Sequence, residues 1–380
     1  MILYIDIFLF CVVMFVLNAY INDIKMKKII TIITLAILCI VSGTRYNIGG
    51  TDYFAYKAIF DLVPSSFSLE KIINFKESYN YEIGFISFMT LIKSIGFSYY
   101  GFTLINSIVF YYIFYLVIKR YNYNMNFIII VFLYKMFFYN TFISMRQSIA
   151  ILIFWLSLPY LKSKKYIKYY VLCIIMFVFH RSAIVLFMVP LITNFKISKR
   201  MFGIILLGGI ISYIGVKFNL LNINGSLSSI FNTVFSSDKV AMEKIAFYVA
   251  EKNSGMSIFY MLEYYLIAIY VYIYYEKICK IDENAEFFIK IFICMLPFYT
   301  LLSSFSIVTR LKDFFFLSYP IMIIYISKIL RKKTLLIYML AITICFYGYY
   351  RYLVNFDNGS LINYKSFIFN NEVSVFSKID

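Results

Sequence analysis

Repeated apolar runs constrain this chain more than any other feature of its sequence. They are continuous stretches of about 15 to 20 residues, close to the length of a helix that crosses the hydrocarbon core of a bilayer. The 380 residues are 62% hydrophobic and only 14% charged, with a mean hydropathy of +0.81. A soluble globular protein does not carry so large an apolar fraction. Because the runs are continuous rather than alternating, they predict spanning helices and not the strands of a β-barrel.

The basic residues indicate which ends of the apolar runs face the cytoplasm. They lie in short clusters between apolar runs, and such clusters are typical of cytoplasmic loops. We therefore interpret the net charge of +17 as a sign of membrane topology and not of a nucleic-acid partner. We predict an all-α polytopic protein with about 12 spans, forming a single membrane domain over 1–380. Both termini are expected outside, with long outer loops at 44–80 and 218–256 and an outer C-terminal tail at 351–380.

Two apolar stretches require partial helices, because the charges at their ends fix the number of crossings. Residues 81–118 must cross an odd number of times, so we predict a partial or re-entrant helix at 81–96 and a true crossing at 99–118. Residues 166–193 have basic clusters at both ends and must cross an even number of times. The polar break at 180–182 is the natural turning point between two short helices.

Seven charged or titratable residues are predicted to lie at one depth near the outer boundary. They are Arg45, Asp52, Glu82, Arg146, His180, Arg181 and Arg310. A charge beside hydrocarbon costs about 2.5 to 3.5 kcal/mol, so several at one depth usually serve a site. Arginines suit a phosphate or diphosphate, because the guanidinium binds such oxygens bidentately and stays charged. A metal cage is the poorer interpretation, since the chain has one histidine and its outer loops contain no DxD pair.

Structural interpretations remain open for individual members of this set. Arg45 can extend to the lipid headgroups, Asp52 can pair with Arg45, and Glu82 can stabilise the start of a helix. A lone membrane histidine is more often a packed hydrogen-bonding residue than a catalyst. The six cysteines are scattered and form no CxxC pair, so we interpret them as small core residues.

Four short polar segments carry a further signal. They are Arg45-Tyr46 with Gly49-Gly50-Thr51-Asp52-Tyr53 and Tyr56; Tyr81-Glu82-Ile83-Gly84-Phe85; Met145-Arg146-Gln147-Ser148-Ile149-Ala150; and His180-Arg181-Ser182-Ala183. In this order they resemble the EpsG family, the Wzy-like polymerases of bacterial exopolysaccharide, capsule and O-antigen synthesis. His180 and Ser182 keep the family's His-x-Ser pattern, whereas Gly50 and Met145 are small departures. Beyond these segments, Arg310 is the best match in the C-terminal half.

The resemblance implies a metal-independent glycosyltransferase, without a cofactor, in the bacterial cell membrane. A sugar hydroxyl of one undecaprenyl-pyrophosphate-linked oligosaccharide would attack the anomeric carbon of another, releasing undecaprenyl pyrophosphate. The candidates for binding the diphosphate are Arg45, Arg146, Arg181 and Arg310. The candidate general bases, in order of preference, are Glu82, Asp52 and His180. Further substrate-binding candidates are Gln147, Tyr53 and Tyr56. Implied partners are membrane lipids and a chain-length regulator and flippase of the same pathway.

Two rival functions explain part of the pattern. A flippase or transporter of lipid-linked oligosaccharide also needs arginines for the diphosphate, but we expect its charges to be distributed through the membrane depth. A membrane O-acyltransferase acting on surface polysaccharide would use His180 as its catalyst, and we expect that histidine to be reachable from the cytoplasm. A purely structural subunit accounts least well for the charge cluster.

Overall fold

The fold is entirely helical wherever the structure describes it. The computed structural model describes residues 1–121, 123–218, 220–221, 257–305, 310–370 and 373–376. Within these ranges β pairing is limited to two isolated bridges, which confirms the predicted all-α class. The predicted outer loop 218–256, apart from its first residues, lies outside the described residues.

The chain divides into two compact units, and each is described by itself. The first comprises Met1–Phe187 with Leu335–Asp380, and the second comprises Met188–Thr334. The predicted single membrane domain stays a prediction.

The first unit contains the predicted site segments up to residue 183. Its α-helices are α1 (Ile2–Tyr20), α2 (Ile24–Gly43), α3 (Gly50–Leu62), α4 (Leu69–Tyr79), α5 (Ile83–Ser94), α6 (Tyr99–Arg120), α7 (Met125–Phe132), α8 (Met145–Lys162) and α9 (Tyr166–Phe179). A π-helical segment, Leu133–Ile143, continues α7, and a 3-10 helix, Arg181–Met188, begins after α9. The unit also contains almost all of the last long helix, Thr334–Asn355.

The second unit is built from shorter helices. They are α10 (Val189–Asn194), α11 (Lys199–Lys217), α12 (Ile258–Ile273), α13 (Tyr275–Cys279), α14 (Ala285–Ile293), α15 (Leu296–Tyr299) and α16 (Ser318–Ile329), followed in the chain by the last long helix, α17 (Thr334–Asn355). The predicted span 286–304 is broken here, because α14 ends at Ile293 and only the four residues of α15 follow.

The predicted count of about 12 spans is not confirmed. By length and composition, five helices of the described residues can cross a membrane: Ile2–Tyr20, Tyr99–Arg120, Met125–Ile143, Lys199–Lys217 and Arg331–Asn355. Five further apolar helices have only 10–17 residues. These helices and the long ones identify a multi-pass membrane protein.

The segment predicted as a long loop, 44–80, folds into α3 and α4. An apolar cluster holds α3 against α5 and α6; it contains Tyr53, Tyr56, Phe60, Phe85, Met89 and Phe102. The Lys93 ammonium of α5 donates to the backbone carbonyls of Phe60, Asp61 and Val63, at 2.9, 2.7 and 2.8 Å. These are carbonyls that the end of α3 would otherwise leave without a partner. Burial of apolar side chains and this cap therefore stabilise helices in a segment whose hydropathy did not predict them.

The C-terminal tail packs on the loop that carries Arg45. The backbone N–H of Tyr46 donates to the carbonyl of Lys365, and that of Phe367 donates to the carbonyl of Thr44, both at 2.8 Å. Further along, the N–H of Ser98 donates to the carbonyl of Val375 at 2.9 Å. The tail thus lies at the same end of the first unit as the loop.

Candidate functional site

An ion pair between Arg146 and Glu82 forms the centre of the charged cluster. Arg146 lies in the first turn of α8, and Glu82 immediately precedes α5. Arg146 Nη1 lies 2.5 Å from Glu82 Oε2, and the two side chains are only 26% and 10% exposed. The first turn of a helix has free N–H groups and the positive end of the helix dipole, which favour an anion. This end of α8 therefore combines a guanidinium with a backbone environment suited to negative charge.

Two tyrosines enclose the Arg146 guanidinium. Its carbon Cζ lies 4.8 Å from the ring centroid of Tyr81 and 5.5 Å from that of Tyr56, so both rings make cation–π contacts. Arg146 Nε also donates to the Tyr56 hydroxyl at 3.3 Å. Burial is the main reason that the pKa of Tyr56 rises to about 12, so its phenol stays protonated at neutral pH. Tyr81 was not among the substrate-binding residues predicted from the sequence, although it lies beside Glu82.

Glu82 is held as a carboxylate. Burial by itself would raise its pKa, but the positive charge of Arg146, with smaller contributions from the neighbouring His180 ring and from hydrogen bonds, outweighs that effect and brings the pKa below its ordinary value. Because the pKa of Glu82 is lower in the folded protein than in the unfolded chain, the ion pair stabilises the fold fully at pH values above the unfolded-state pKa. That stabilisation is lost as the pH falls through the folded-state pKa. At neutral pH Glu82 is therefore an ionised partner for Arg146 and a weak proton acceptor.

The polar break after α9 brings more charged and polar groups to this ion pair. The backbone N–H of Arg181 donates to Glu82 Oε1 at 3.5 Å, and Arg181 Nη2 donates to Asn80 Oδ1 at 2.5 Å. His180 Nδ1 lies 2.6 Å from Ser182 Oγ. The break predicted at 180–182 thus forms and contributes directly to the cluster. Asn80, missed by sequence reasoning, ends α4 in the left-handed conformation (φ 52°), which asparagine tolerates well.

A glycine allows this approach. A Cβ placed on Gly84 would lie 2.9 Å from both the carbonyl oxygen and Cγ1 of Val178, so α5 and α9 pack too closely for a side chain there. Because Gly84 follows Glu82 by two residues and Val178 precedes His180 by two, their close contact places the carboxylate beside the break. This explains physically why a glycine follows the Tyr-Glu-Ile sequence.

Asp52 lies at the edge of the same cluster. It is half-buried in the first turn of α3, where the helix dipole favours a carboxylate, and its charge acts on the hydroxyls of Tyr56 and Tyr81. In the described part of the chain, no hydrogen bond or ion pair engages its carboxylate. The Asp52–Arg45 pair, left open as a structural alternative, is accordingly not formed.

Arg45 is enclosed within the first unit and is completely buried. It donates to the carbonyls of Ser42 and Phe142, the latter at 3.3 Å, and to the Met145 sulfur at 3.4 Å. The rings of Tyr53 and Phe142 each lie 5.3 Å from its Cζ, and its Nε has no hydrogen-bond partner among the described residues. Burial lowers the pKa of Arg45, while nearby tyrosine hydroxyls oppose that effect. Arg45 therefore fixes the turn that presents Arg146, and its predicted contact with a diphosphate stays a prediction.

The remaining predicted residues have different surroundings. Tyr53 is fully buried in α3, where its carbonyl accepts a hydrogen bond from the Tyr99 hydroxyl at 2.8 Å. Gln147 is buried beside Arg146 in the first turn of α8. Arg310 belongs to the second unit, at the start of the 3-10 helix Arg310–Phe315. The predicted roles of all three stay predictions.

Gly49 should tolerate no side chain. Its φ is +143°, and an added Cβ would lie 2.4 Å from the carbonyl oxygen of Phe142. We expect Gly49→Ala to lower the free energy of unfolding by about 3 kcal/mol or more, because strain and a backbone clash combine. The matched control is Gly96→Ala, also at positive φ (+88°) but with nothing within 4 Å, for which we expect about 1 kcal/mol. Thermal unfolding in detergent measures both, and equal losses would contradict the clash.

Among the described residues, no group of three or more His, Cys, Asp or Glu side chains is arranged to hold a metal ion. The predicted metal independence stays a prediction, since this observation concerns only candidate ligands. What the cluster does offer is a pair of guanidinium groups, a histidine and two carboxylates at adjoining helix ends.

Fold and site together define a multi-pass membrane protein with a partly buried, aromatic-lined arginine–carboxylate pair. The chain belongs to the EpsG family, whose model matches residues 28–366. Comparison with curated proteins and with solved structures gives no match. Membership indicates an exopolysaccharide-related polymerase, and the matched range contains every residue of the cluster.

Proposed function

We propose that this protein is a polysaccharide polymerase that joins undecaprenyl-pyrophosphate-linked oligosaccharide repeat units by glycosyl transfer. The reaction takes place at the outer face of the bacterial cell membrane. The observation that carries the proposal is the Arg146–Glu82 pair at the start of α8, with Arg181 and His180 beside it. Family membership supports the same activity.

The diphosphate of the growing chain is the group that this cluster suits. Arg146 presents a planar set of donors at a helix N-terminus, and partial burial strengthens its attraction for an anion. Its aromatic neighbours restrict the guanidinium orientation, so little reorganisation is needed when negative charge develops on the leaving group. The diphosphate takes the place of Glu82 as the anion bound to Arg146.

Proton transfer completes the reaction. The acceptor hydroxyl oxygen forms a bond to the anomeric carbon, and the bond from that carbon to the diphosphate oxygen breaks with its electron pair leaving on the diphosphate. The hydroxyl proton passes to a carboxylate. Asp52 suits this role better than Glu82, because no hydrogen bond or ion pair engages its carboxylate in the described structure, whereas Arg146 binds Glu82. Glu82 instead holds Arg146 in place before the substrate binds.

Chain extension by purified protein is the test of this function. Protein in detergent or vesicles is incubated with lipid-linked repeat units, and the products are separated by electrophoresis with and without a chelator. We expect a ladder of longer oligosaccharides that persists in the chelator. Movement of substrate across vesicles without elongation would identify a flippase, and transfer of acyl groups to the sugar would identify an O-acyltransferase; either result would overturn the proposal.

A further inference from the structure

His180 is presented from a rigid corner of the backbone. It ends α9 in an extended conformation (φ −156°, ψ 121°), and its N–H donates to the carbonyl of Met176 at 2.9 Å. Its own carbonyl accepts from the N–H of Ala183 at 3.0 Å, at the start of the 3-10 helix Arg181–Met188. The position of the ring is therefore set by the chain on both sides.

The environment of Nδ1 determines which ring nitrogen carries the proton. The backbone N–H of Ser182 donates to Nδ1 at 3.2 Å, and Ser182 Oγ lies 2.6 Å from the same nitrogen. A backbone N–H is only a donor, so Nδ1 must supply a lone pair to it. In the neutral ring the proton then lies on Nε2.

We infer that His180 serves the reaction as a hydrogen-bond donor through Nε2–H, to an anionic phosphoryl oxygen, and that Ser182 is the positioning residue that sets this tautomer. This rests on the proposed function. A ring with Nδ1 engaged by Ser182 and Nε2 protonated has no lone pair for the proton of a sugar hydroxyl. The inference therefore removes His180 from the candidate bases and adds a third donor beside Arg146 and Arg181.

Amide substitutions distinguish the two ring nitrogens. The side-chain amide of glutamine reaches about as far as Nε2, whereas that of asparagine reaches about as far as Nδ1. We expect His180→Gln to keep elongation within about tenfold of wild type, and His180→Asn to lose about 100-fold, as does removal of an oxyanion donor in other enzymes. Ser182→Ala should lower the rate, and Ser182→Thr, which keeps the hydroxyl, should restore it.

The tautomer can be measured by NMR without substrate, and the signals need no assignment because the chain has one histidine. Histidine labelled with ¹⁵N in an untagged protein gives ring signals from His180 alone. We expect a protonated Nε2 and an unprotonated Nδ1 in the wild type, and a weaker preference in Ser182→Ala, which loses the hydroxyl at Nδ1 but keeps the backbone N–H. A proton on Nδ1 in the wild type would overturn the inference even if every variant misfolds.

Failure of the inference differs from failure of the proposed function. Wild-type protein that elongates chains while His180→Asn is more active than His180→Gln would reject the donor role and leave the polymerase standing. Wild-type protein that makes no polymer would reject both the polymerase and the donor role. The NMR result would then report only whether Ser182 fixes the ring.

Discussion

Arg146→Ala is expected to reduce chain elongation by at least about 100-fold, which is the effect of removing one donor that stabilises negative charge in a transition state. The Glu82 carboxylate, the Tyr56 hydroxyl and the Tyr81 ring all contact the Arg146 guanidinium. Loss of this guanidinium leaves the diphosphate without its main ligand. Arg146→Lys keeps the charge but not the planar set of donors, and we expect an intermediate rate. Elongation of lipid-linked repeat units by purified variants is the measurement.

Loss of stability must be separated from loss of function in this variant. Alanine at 146 leaves the Glu82 carboxylate, whose side chain is 10% exposed, without its ion-pair partner, at a cost of about 3 to 5 kcal/mol. The double variant Arg146→Ala/Glu82→Gln removes the unpaired charge and should regain part of that stability. It should not regain activity. Wild-type elongation by a stably folded double variant would show that Arg146 serves only the fold.

Asp52→Asn is expected to lower the rate constant for elongation by about 100-fold or more, the contribution of a positioned general base, with a small effect on stability. Asp52 is half-buried, but no hydrogen bond or ion pair engages its carboxylate in the described structure, and asparagine has nearly the same size, so packing should change little. Its place in the first turn of α3 is worth about 0.3 to 1 kcal/mol through the helix dipole. Steady-state elongation rates and thermal unfolding, measured on the same preparations, separate these two effects.

The chain offers a matched control on the same helix. Asp61 is an exposed aspartate at the opposite end of α3, where its backbone carbonyl accepts a hydrogen bond from the Lys93 ammonium. Asp61→Asn should leave elongation unchanged. Glu82→Gln should lower stability and slow the reaction by about tenfold, since it removes the ion-pair partner that holds Arg146 and not the proton acceptor. A larger loss in Glu82→Gln than in Asp52→Asn would restore Glu82 as the candidate base.

The sequence predicted features that depend on local charge and polarity. The break at 180–182 interrupts an apolar run with consecutive polar groups, so a helix end there was readable without tertiary information. The turn before Arg146 and the helix start at Glu82 were readable for the same reason. These three features supply most of the cluster, although their contacts join residues up to 101 positions apart.

Features that depend on tertiary packing were not readable. A polar, glycine-bearing segment predicts a loop, yet burial of Tyr53 and Phe60 folds it into α3. The complete burial of Arg45, beside the Phe142 ring and next to residues that the C-terminal tail contacts, was likewise not readable, because these groups are distant from Arg45 in the sequence. The number of spans depends on where helices change to π or 3-10 geometry, as at Leu133–Ile143, which hydropathy does not reveal.

The most direct test of the central claim, that the Arg146 cluster holds a diphosphate, is thermal unfolding with the product lipid. Undecaprenyl pyrophosphate at about 100 times its dissociation constant should stabilise wild-type protein by about 2.7 kcal/mol. The account predicts a higher Tm for wild type, no rise for Arg146→Ala/Glu82→Gln, and no rise with undecaprenol, which lacks the phosphates. An equal rise in Tm for wild type and the double variant would contradict it.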